Sequence, residues 1–300
     1  MLRKGVSAIA VGVALVAGLV GLPSTASAAG SGFFEIIAGN ADGNGFIRAY
    51  RNVNGFNGPM FANPGIEIGR GWPDVKEIAF ADINGDTWDD LIKIGSNGEV
   101  WAWPNNGHGS YNGMRRIAVG FLQRTTKFAD IDGDRRDEII SFQETGNGEV
   151  RAWRNVDGFN NPNGPYSAGY QVIGTGWGDA PWAWFADLNG DHKDEIIALK
   201  GSGLYGDLWA WRNVNGFAGA YIEGPVRIGI GWNNYEPSTI KFADLDNDQR
   251  FDIISVPYVA GSAYAWRNVG GLVHDGTYNQ PPVEIGQGWT AGTTFFAEVF

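Results

Sequence analysis

The chain has 300 residues, including 46 glycines and 13 tryptophans, with no cysteine and a formal net charge of −11. The acidic balance argues against nucleic acid as a partner, because phosphates require a basic surface. The lack of cysteine excludes disulfides, thiolate metal sites and cysteine nucleophiles. Hydrophobic residues make up 43% of the chain, too many for a disordered protein. The many glycines and tryptophans therefore favour short strands joined by tight turns.

Residues 1–28 have the pattern of a secretory signal peptide. Arg3 and Lys4 precede an uncharged apolar stretch at 5–22, and the segment 26–28 (Ala-Ser-Ala) fits the small-residue cleavage rule. A retained membrane anchor is the alternative, because the stretch approaches the length of a transmembrane helix. Its many Gly and Ala residues weaken that alternative. We expect a secreted, extracellular protein with no membrane anchor, whose mature part spans residues 29–300.

Three motifs recur along the mature part. The first resembles FADINGDTWDDLI and begins at Phe80, Phe128, Phe185 and Phe242. The second resembles AWRN and begins at Ala49, Ala102, Ala152, Ala210 and Ala265. The third is IGxGW, which ends at Trp72, Trp177, Trp232 and Trp289, with a degenerate copy ending at Phe121. Since the alanines of the second motif lie 50 to 58 residues apart, the sequence contains five repeat units.

Each unit is predicted to contain about four strands, because apolar and alternating runs are separated by Gly/Asn turns. Four strands at this period indicate an all-β fold, a five-bladed β-propeller of four-stranded blades over residues 29–300. Residues 295–300 match the start of the first motif and residues 33–37 match its end. Pairing of the N- and C-terminal strands is therefore predicted to close the ring and remove its free edges. An open stack of repeats is the alternative.

The first motif contains four acidic loops with oxygen-bearing side chains at positions 1, 3, 5 and 9. These are Asp82, Asn84, Asp86 and Asp90; Asp130, Asp132, Asp134 and Glu138; Asp187, Asn189, Asp191 and Glu195; Asp244, Asp246, Asp248 and Asp252. Alternate side chains of a tight loop can face one centre, and hard oxygen ligands suit Ca²⁺. We therefore predict about four structural calcium ions, with the carbonyl at position 7 as a further ligand.

Solvated acidic turns are the alternative to these calcium sites, although clustered carboxylates repel one another without a cation. A fifth copy of the loop is split between the two termini. It has Glu298 at position 1, Phe300 at position 3 and Glu35 at position 9. Because position 3 lacks an oxygen, this copy is predicted to bind no metal.

The acidic loops resemble FG-GAP/VCBS repeats, the calcium-loop propeller repeats of integrin α chains, and together with the AWRN strands they are similar to integrin-like fungal lectins. The resemblance covers essentially residues 32–300 and implies a propeller fold and calcium. Two features depart from it. The Gly that commonly follows position 5 is replaced by Thr87, Arg135, His192 or Gln249, and five units replace the seven blades of those proteins.

Recurrent aromatic and Asn residues are a second candidate site. Tyr50, Trp103, Trp153, Trp211 and Trp266 recur at one strand position, and the IGxGW tryptophans recur at another. Aromatic faces stack on sugars, but recurrent Trp residues in a propeller more often pack between blades. The Asn residues that end the AWRN motif favour turn formation over sugar contacts. A ring of similar sites would nevertheless suit a multivalent sugar binder.

Signals for an enzyme are weak, since no common catalytic motif is present and the three His residues have no repeated partner. We expect a monomeric, non-catalytic carbohydrate-binding protein. Its expected partner is an extracellular glycan or protein surface. The alternatives are an adhesion scaffold, and a polysaccharide hydrolase or lyase with one site in the central channel.

Overall fold

The computed structural model describes residues 33–300 except 40–44, 58–59, 63, 73–76, 179–181, 201–205, 220, 222, 233–236 and 279. The predicted signal peptide lies outside the described residues. Within the described part, no helix is both long and apolar enough to cross a membrane. The short 3₁₀ helices are Gly55–Asn57, Gln123–Thr125, Gly158–Asn160, Gly216–Ala218 and Pro237–Thr239.

Five four-stranded antiparallel sheets form the blades. Blade 1 contains β1 (Glu35–Gly39), β2 (Ile47–Tyr50) and β3 (Ile66–Gly69), and its fourth strand comes from the C-terminus. Blade 2 contains β4 (Ile78–Ala81), β5 (Asp90–Ile94), β6 (Glu99–Trp103) and β7 (Arg115–Val119). Blade 3 contains β8 (Thr126–Ala129), β9 (Glu138–Phe142), β10 (Val150–Trp153) and β11 (Tyr170–Gly174).

The remaining strands complete the ring. Blade 4 contains β12 (Ala183–Ala186), β13 (Glu195–Lys200), β14 (Asp207–Arg212) and β15 (Glu223–Gly229). Blade 5 contains β16 (Ile240–Ala243), β17 (Asp252–Ser255), β18 (Gly261–Trp266) and β19 (Val283–Trp289), and β20 (Thr294–Ala297) returns to blade 1. The innermost strands β4, β8, β12, β16 and β20 contact one another in sequence around a central channel. The predicted five-bladed propeller is confirmed.

The ring closes where the two termini pair. Strand β20 runs antiparallel to β1, with Glu35 opposite Ala297 and Ile37 opposite Phe295. Ala297, Val299 and Phe300 are buried with Ile37 in the core shared by blades 1 and 2. The predicted closure by terminal strands is therefore confirmed, and it covers the edge that β1 would otherwise expose.

The recurrent aromatic residues pack between neighbouring blades. The five pairs are Tyr50–Trp289, Trp72–Trp103, Phe121–Trp153, Trp177–Trp211 and Trp232–Trp266, each edge-to-face with ring centroids 4.8 Å apart. Such pairs contribute about 0.5–1.5 kcal/mol each beyond their buried area. Packing between blades, the role that the sequence favours for these residues, is thus confirmed at each of the five interfaces between neighbouring blades (the seams). Phe121, from the degenerate copy of the third motif, takes the place of a Trp.

Deleting residues 294–300 is expected to prevent cooperative folding, because it exposes the edge of β1 and removes three buried apolar side chains. Each large apolar side chain among them contributes about 1.5–3 kcal/mol. Thermal unfolding followed by near-ultraviolet circular dichroism, with size-exclusion chromatography, measures the loss. A synthetic peptide of residues 290–300 should restore the native signal, whereas a scrambled peptide should not. A truncated chain that melts cooperatively at the wild-type temperature would contradict this account.

Candidate functional site

The four acidic loops leave the innermost strands at one end of the central channel. Each loop joins the innermost strand of a blade to the next strand, as residues 130–137 join β8 to β9. Their position-1 residues line a cavity of about 600 Å³ at this mouth: Asp82, Asp130, Asp187 and Asp244. Glu298, which holds position 1 of the split copy, lines it as well. The topology therefore gathers all five loops around one opening.

The position-1 carboxylate shapes each loop by accepting backbone N–H groups. In the 130–138 loop, Asp130 Oδ1 accepts from Gly133 N at 2.7 Å and Oδ2 accepts from Arg135 N at 2.7 Å. The bond from the position-6 N–H recurs in all four loops at 2.7 to 2.8 Å. Side-chain oxygens that accept local N–H groups are the usual means by which Asp stabilises turns.

Position 6 adopts the left-handed conformation although glycine is absent there. The φ angles are 76° at Thr87, 68° at Arg135, 63° at His192 and 68° at Gln249. A non-glycine residue in this region costs about 1–2 kcal/mol. The bond from the position-6 N–H to the position-1 carboxylate offsets that cost. The four loops therefore follow the same path, even though position 6 lacks the glycine that is common in FG-GAP/VCBS repeats.

Two of the loops bring three carboxylates together. Oxygen atoms of Asp130, Asp132 and Glu138 lie within 4.8 Å of one another, and so do those of Asp244, Asp246 and Asp252. Oxygens that share one calcium ion at about 2.4 Å can be no more than about 4.8 Å apart. The Oδ1 atoms of Asp132 and Asp246 are buried and have no hydrogen-bond partner within the described part of the chain. The donor set and its unpaired oxygens therefore fit a hard divalent cation.

Positive charge already faces part of each of these clusters. Arg154 Nη2 contacts Asp132, and Arg267 Nε contacts Asp246. At position 5, Asp134 turns towards Arg136 Nη2 at 2.6 Å, and Asp248 is bound by Arg250 in the same way. The structure thus brings positions 1, 3 and 9 together in these two loops, whereas position 5 pairs with a neighbouring arginine.

The other two loops carry Asn at position 3. Asn84 Nδ2 donates to Asp86 Oδ2 at 2.9 Å, and Asn189 Nδ2 donates to Glu195 Oε1 at 2.9 Å. The amide N–H groups here bind the carboxylates that the sequence predicts as metal ligands. These loops, 82–90 and 187–195, therefore have one carboxylate fewer at the centre than the other two.

Burial makes the clustered carboxylates costly to ionise. Burial, reinforced by Asp132, raises the pKa of Glu138 to about 9, and burial raises that of Asp252 to about 8. Asp130 and Asp244, at position 1, have a pKa of about 6 for the same main reason. A bound divalent cation would favour the charged forms and lower these pKa values.

The position-9 carboxylate is fully buried in every loop. Asp90, Glu138, Glu195, Asp252 and Glu35 are all 0% exposed. Each accepts the N–H of position 2, as Glu138 Oε2 does from Ile131 at 2.8 Å. The other oxygen of Glu138 accepts from Asn155 N at 3.1 Å, and the equivalent bond occurs in blades 2, 4 and 5. This position therefore has a structural role whether or not a metal binds.

The Asn residues that end the AWRN motif link neighbouring blades. Asn155 Nδ2 donates to the carbonyl of Ile83 in blade 2 at 2.9 Å, and its Oδ1 accepts from Gly158 N. Equivalent bonds to the preceding blade are made by Asn52, Asn105, Asn213 and Asn268. All five are buried. They are therefore structural clamps and are not available to bind a sugar.

Three aspartates at position 8 have a role that the sequence reasoning missed. Asp89, Asp137 and Asp194 each accept a backbone N–H from position 1 of the preceding blade, at 2.7 to 3.0 Å. Phe251 and Phe34 hold the same position in the other two blades, where their rings meet edge-to-face at 5.1 Å. The recurrence of Asp at position 8 in three consecutive repeats is a signal in the sequence, but only the ring reveals the neighbouring N–H groups.

A second cavity, the seam cavity, lies between blades 5 and 1, where the ring closes. It measures about 590 Å³ and is lined by Tyr50, Phe61, Trp289, Thr290, Thr293 and Thr294, among others. Trp289 Nε1 and Thr294 Oγ1 are buried and have no hydrogen-bond partner among the described residues. A Cβ at Gly286 would lie 2.6 Å from Trp289 Nε1, so glycine at this position leaves room for the indole ring. Aromatic faces and unpaired donors thus meet at one place.

No protein-family model matches this sequence, and neither does any of the curated proteins. Among solved structures, the chain is similar to a Tc holotoxin pore from Photorhabdus luminescens, with 15% identity and a TM-score of 0.42 over 85% of the chain. The chain spans 11% of the length of that protein. The assignment of the fold therefore rests on the blades themselves.

Replacing Asn155 by Ala is expected to lower the free energy of unfolding by about 2–4 kcal/mol, because buried backbone groups lose their partners. The affected groups include the carbonyls of Ile83 and Asp137 and the N–H of Gly158. The matched control is Asn163→Ala, at an exposed position of the same blade. Urea titration of both variants gives the comparison. Equal stability of the two variants would show that Asn155 is not a clamp.

Proposed function

We propose that this protein is a secreted, calcium-binding β-propeller that binds extracellular carbohydrate without catalysis. Calcium is supported by the two triads of carboxylates and by the unpaired oxygens of Asp132 and Asp246. The resemblance of the loops to FG-GAP/VCBS repeats supports the same ion. We propose calcium in each of the four acidic loops, with tighter binding where position 3 is Asp, since affinity rises with ligand charge.

Carbohydrate binding is supported by one observation, the two polar groups of residues lining the seam cavity that have no hydrogen-bond partner among the described residues. Trp289 Nε1 is a donor, and Thr294 Oγ1 can both donate and accept. Tyr50 and Phe61 supply apolar faces beside them. A sugar ring presents hydroxyls at its edge and C–H groups on its faces, so it matches this combination. We therefore propose one site at the closing seam, in place of a ring of five equivalent sites.

Calcium is expected to raise the melting temperature, and chelation should reverse the rise. At 1 mM calcium, a site with a dissociation constant of about 10 μM adds about 2.7 kcal/mol, which is roughly 5–10 °C for a domain of this size. Asp132→Asn should remove part of this rise and about one bound ion in a calorimetric titration. Asp157→Asn, at an exposed position of the same blade, is the control. Melting curves that are identical after metal removal and after calcium addition would overturn the calcium proposal.

A glycan array, read with and without calcium, tests carbohydrate binding. Thr294→Val removes one unpaired hydroxyl without disturbing a hydrogen bond of the described residues, so it should leave stability intact while weakening binding about fivefold. Thr175→Val, which does not line the seam cavity, should bind as the wild type does. A blank array would reject the carbohydrate proposal and leave the adhesion scaffold. Release of products from a polysaccharide would instead indicate a hydrolase or lyase.

A further inference from the structure

The end of the central channel opposite the acidic loops contains two lysines. Lys127 and Lys241 are the second residues of β8 and β16, and both line a cavity of about 360 Å³. The second residues of the other three innermost strands, β12, β20 and β4, are Trp184, Phe295 and Ala79. The positive charges therefore come from two non-adjacent blades and face a wall that is mainly apolar, with Gln123 and Thr126 as its other polar residues.

No partner for these ammonium groups is found in the described part of the chain. Neither lysine takes part in an ion pair there, and neither side chain donates a hydrogen bond to a described residue. Burial, with repulsion from Lys127, lowers the pKa of Lys241 to about 8, and burial also lowers the pKa of Lys127. Both lysines are half-buried, and a lysine that loses part of its hydration is usually paired, because an isolated charge is otherwise left without compensation. Two ammonium groups in one cavity, with no partner among the described residues, therefore favour the binding of an anion.

The carboxylates of the acidic loops do not supply that counter-charge. Asp130 follows the end of β8, three residues after Lys127, which corresponds to about 10 Å along the channel. Asp244 lies at the same distance along the chain from Lys241. The loop carboxylates line a separate cavity, about 600 Å³, at the other mouth. The channel is thus acidic at one end and basic at the other.

We propose that the lysine end of the channel binds a small organic carboxylate with a flat apolar face. The two ammonium groups would bind the carboxylate oxygens, because charge-assisted hydrogen bonds are the strongest available to an oxyanion. The aromatic wall, which includes Phe128, Trp184, Phe242 and Phe295, would pack against the body of the ligand. The volume is that of a ligand pocket for a single ring. An aromatic acid and a sugar acid share this chemistry.

This site does not depend on the proposed calcium or seam sites, because it uses none of their residues. Calorimetric titration of the full chain with benzoate and with glucuronate, each with and without calcium, is the direct test. Benzyl alcohol and glucose serve as the uncharged counterparts of the two acids. We expect one or both acids to bind and the uncharged compounds not to bind. Preference for benzoate would identify an aromatic acid as the ligand class, and preference for glucuronate would identify a sugar acid.

Variants locate the binding. Lys127→Met and Lys241→Met should each weaken binding about tenfold or more, and the double variant should not bind measurably. Lys93→Met is the control, because Lys93 is paired with Glu77 at 3.0 Å outside this cavity. Without ligand, the double variant should melt no lower than the wild type, since it removes the repulsion between two half-buried ammonium groups. Undetectable binding of both acids, equal binding by the double variant, or equal binding of the uncharged compounds would overturn the proposal.

Discussion

Five buried carboxylates connect the loops, the strands and the seams of this propeller. Each position-9 side chain, such as Glu138, accepts the N–H of position 2 of its own loop. In blades 2 to 5 it also accepts the N–H of the Asn that ends the third strand. That Asn then donates to a carbonyl of the preceding blade. Because an unpaired buried carboxylate is costly, these bonds set the path of the loop and the spacing of the blades together.

The repeated bonds build the ring, whereas the candidate binding features lie where the repeats differ. Position 8 is Asp in three blades and Phe at Phe251 and Phe34. The second residue of the innermost strand is Lys in two blades and apolar in the others. The seam between blades 5 and 1 contains Trp289 Nε1 and Thr294 Oγ1, which have no hydrogen-bond partner among the described residues. A symmetric ring provides equivalent positions, so a single site requires substitutions that break the equivalence.

The sequence could predict the blades and the acidic loops because both recur with fixed spacing. It could not predict that Asn155 spans a seam, because the carbonyl that it binds is 72 residues away at Ile83. It also could not separate Asp132, whose Oδ1 has no partner in the described part of the chain, from Asp134, which pairs with Arg136. Alternation along a loop shows which side chains share a side, but the local turns decide which oxygens converge.

By itself, the sequence determined the number of repeats, the four-stranded unit, the pairing of the termini and the positions of the acidic side chains, because these depend on local patterns. The tertiary structure decided which aromatic rings meet across seams, which carboxylates come within 4.8 Å, and that Lys127 and Lys241 line one cavity. Those relations join residues of different blades or opposite sides of a turn. Closure of the ring creates the contacts between blades and the local turns create the carboxylate clusters, so sequence spacing alone does not reveal them.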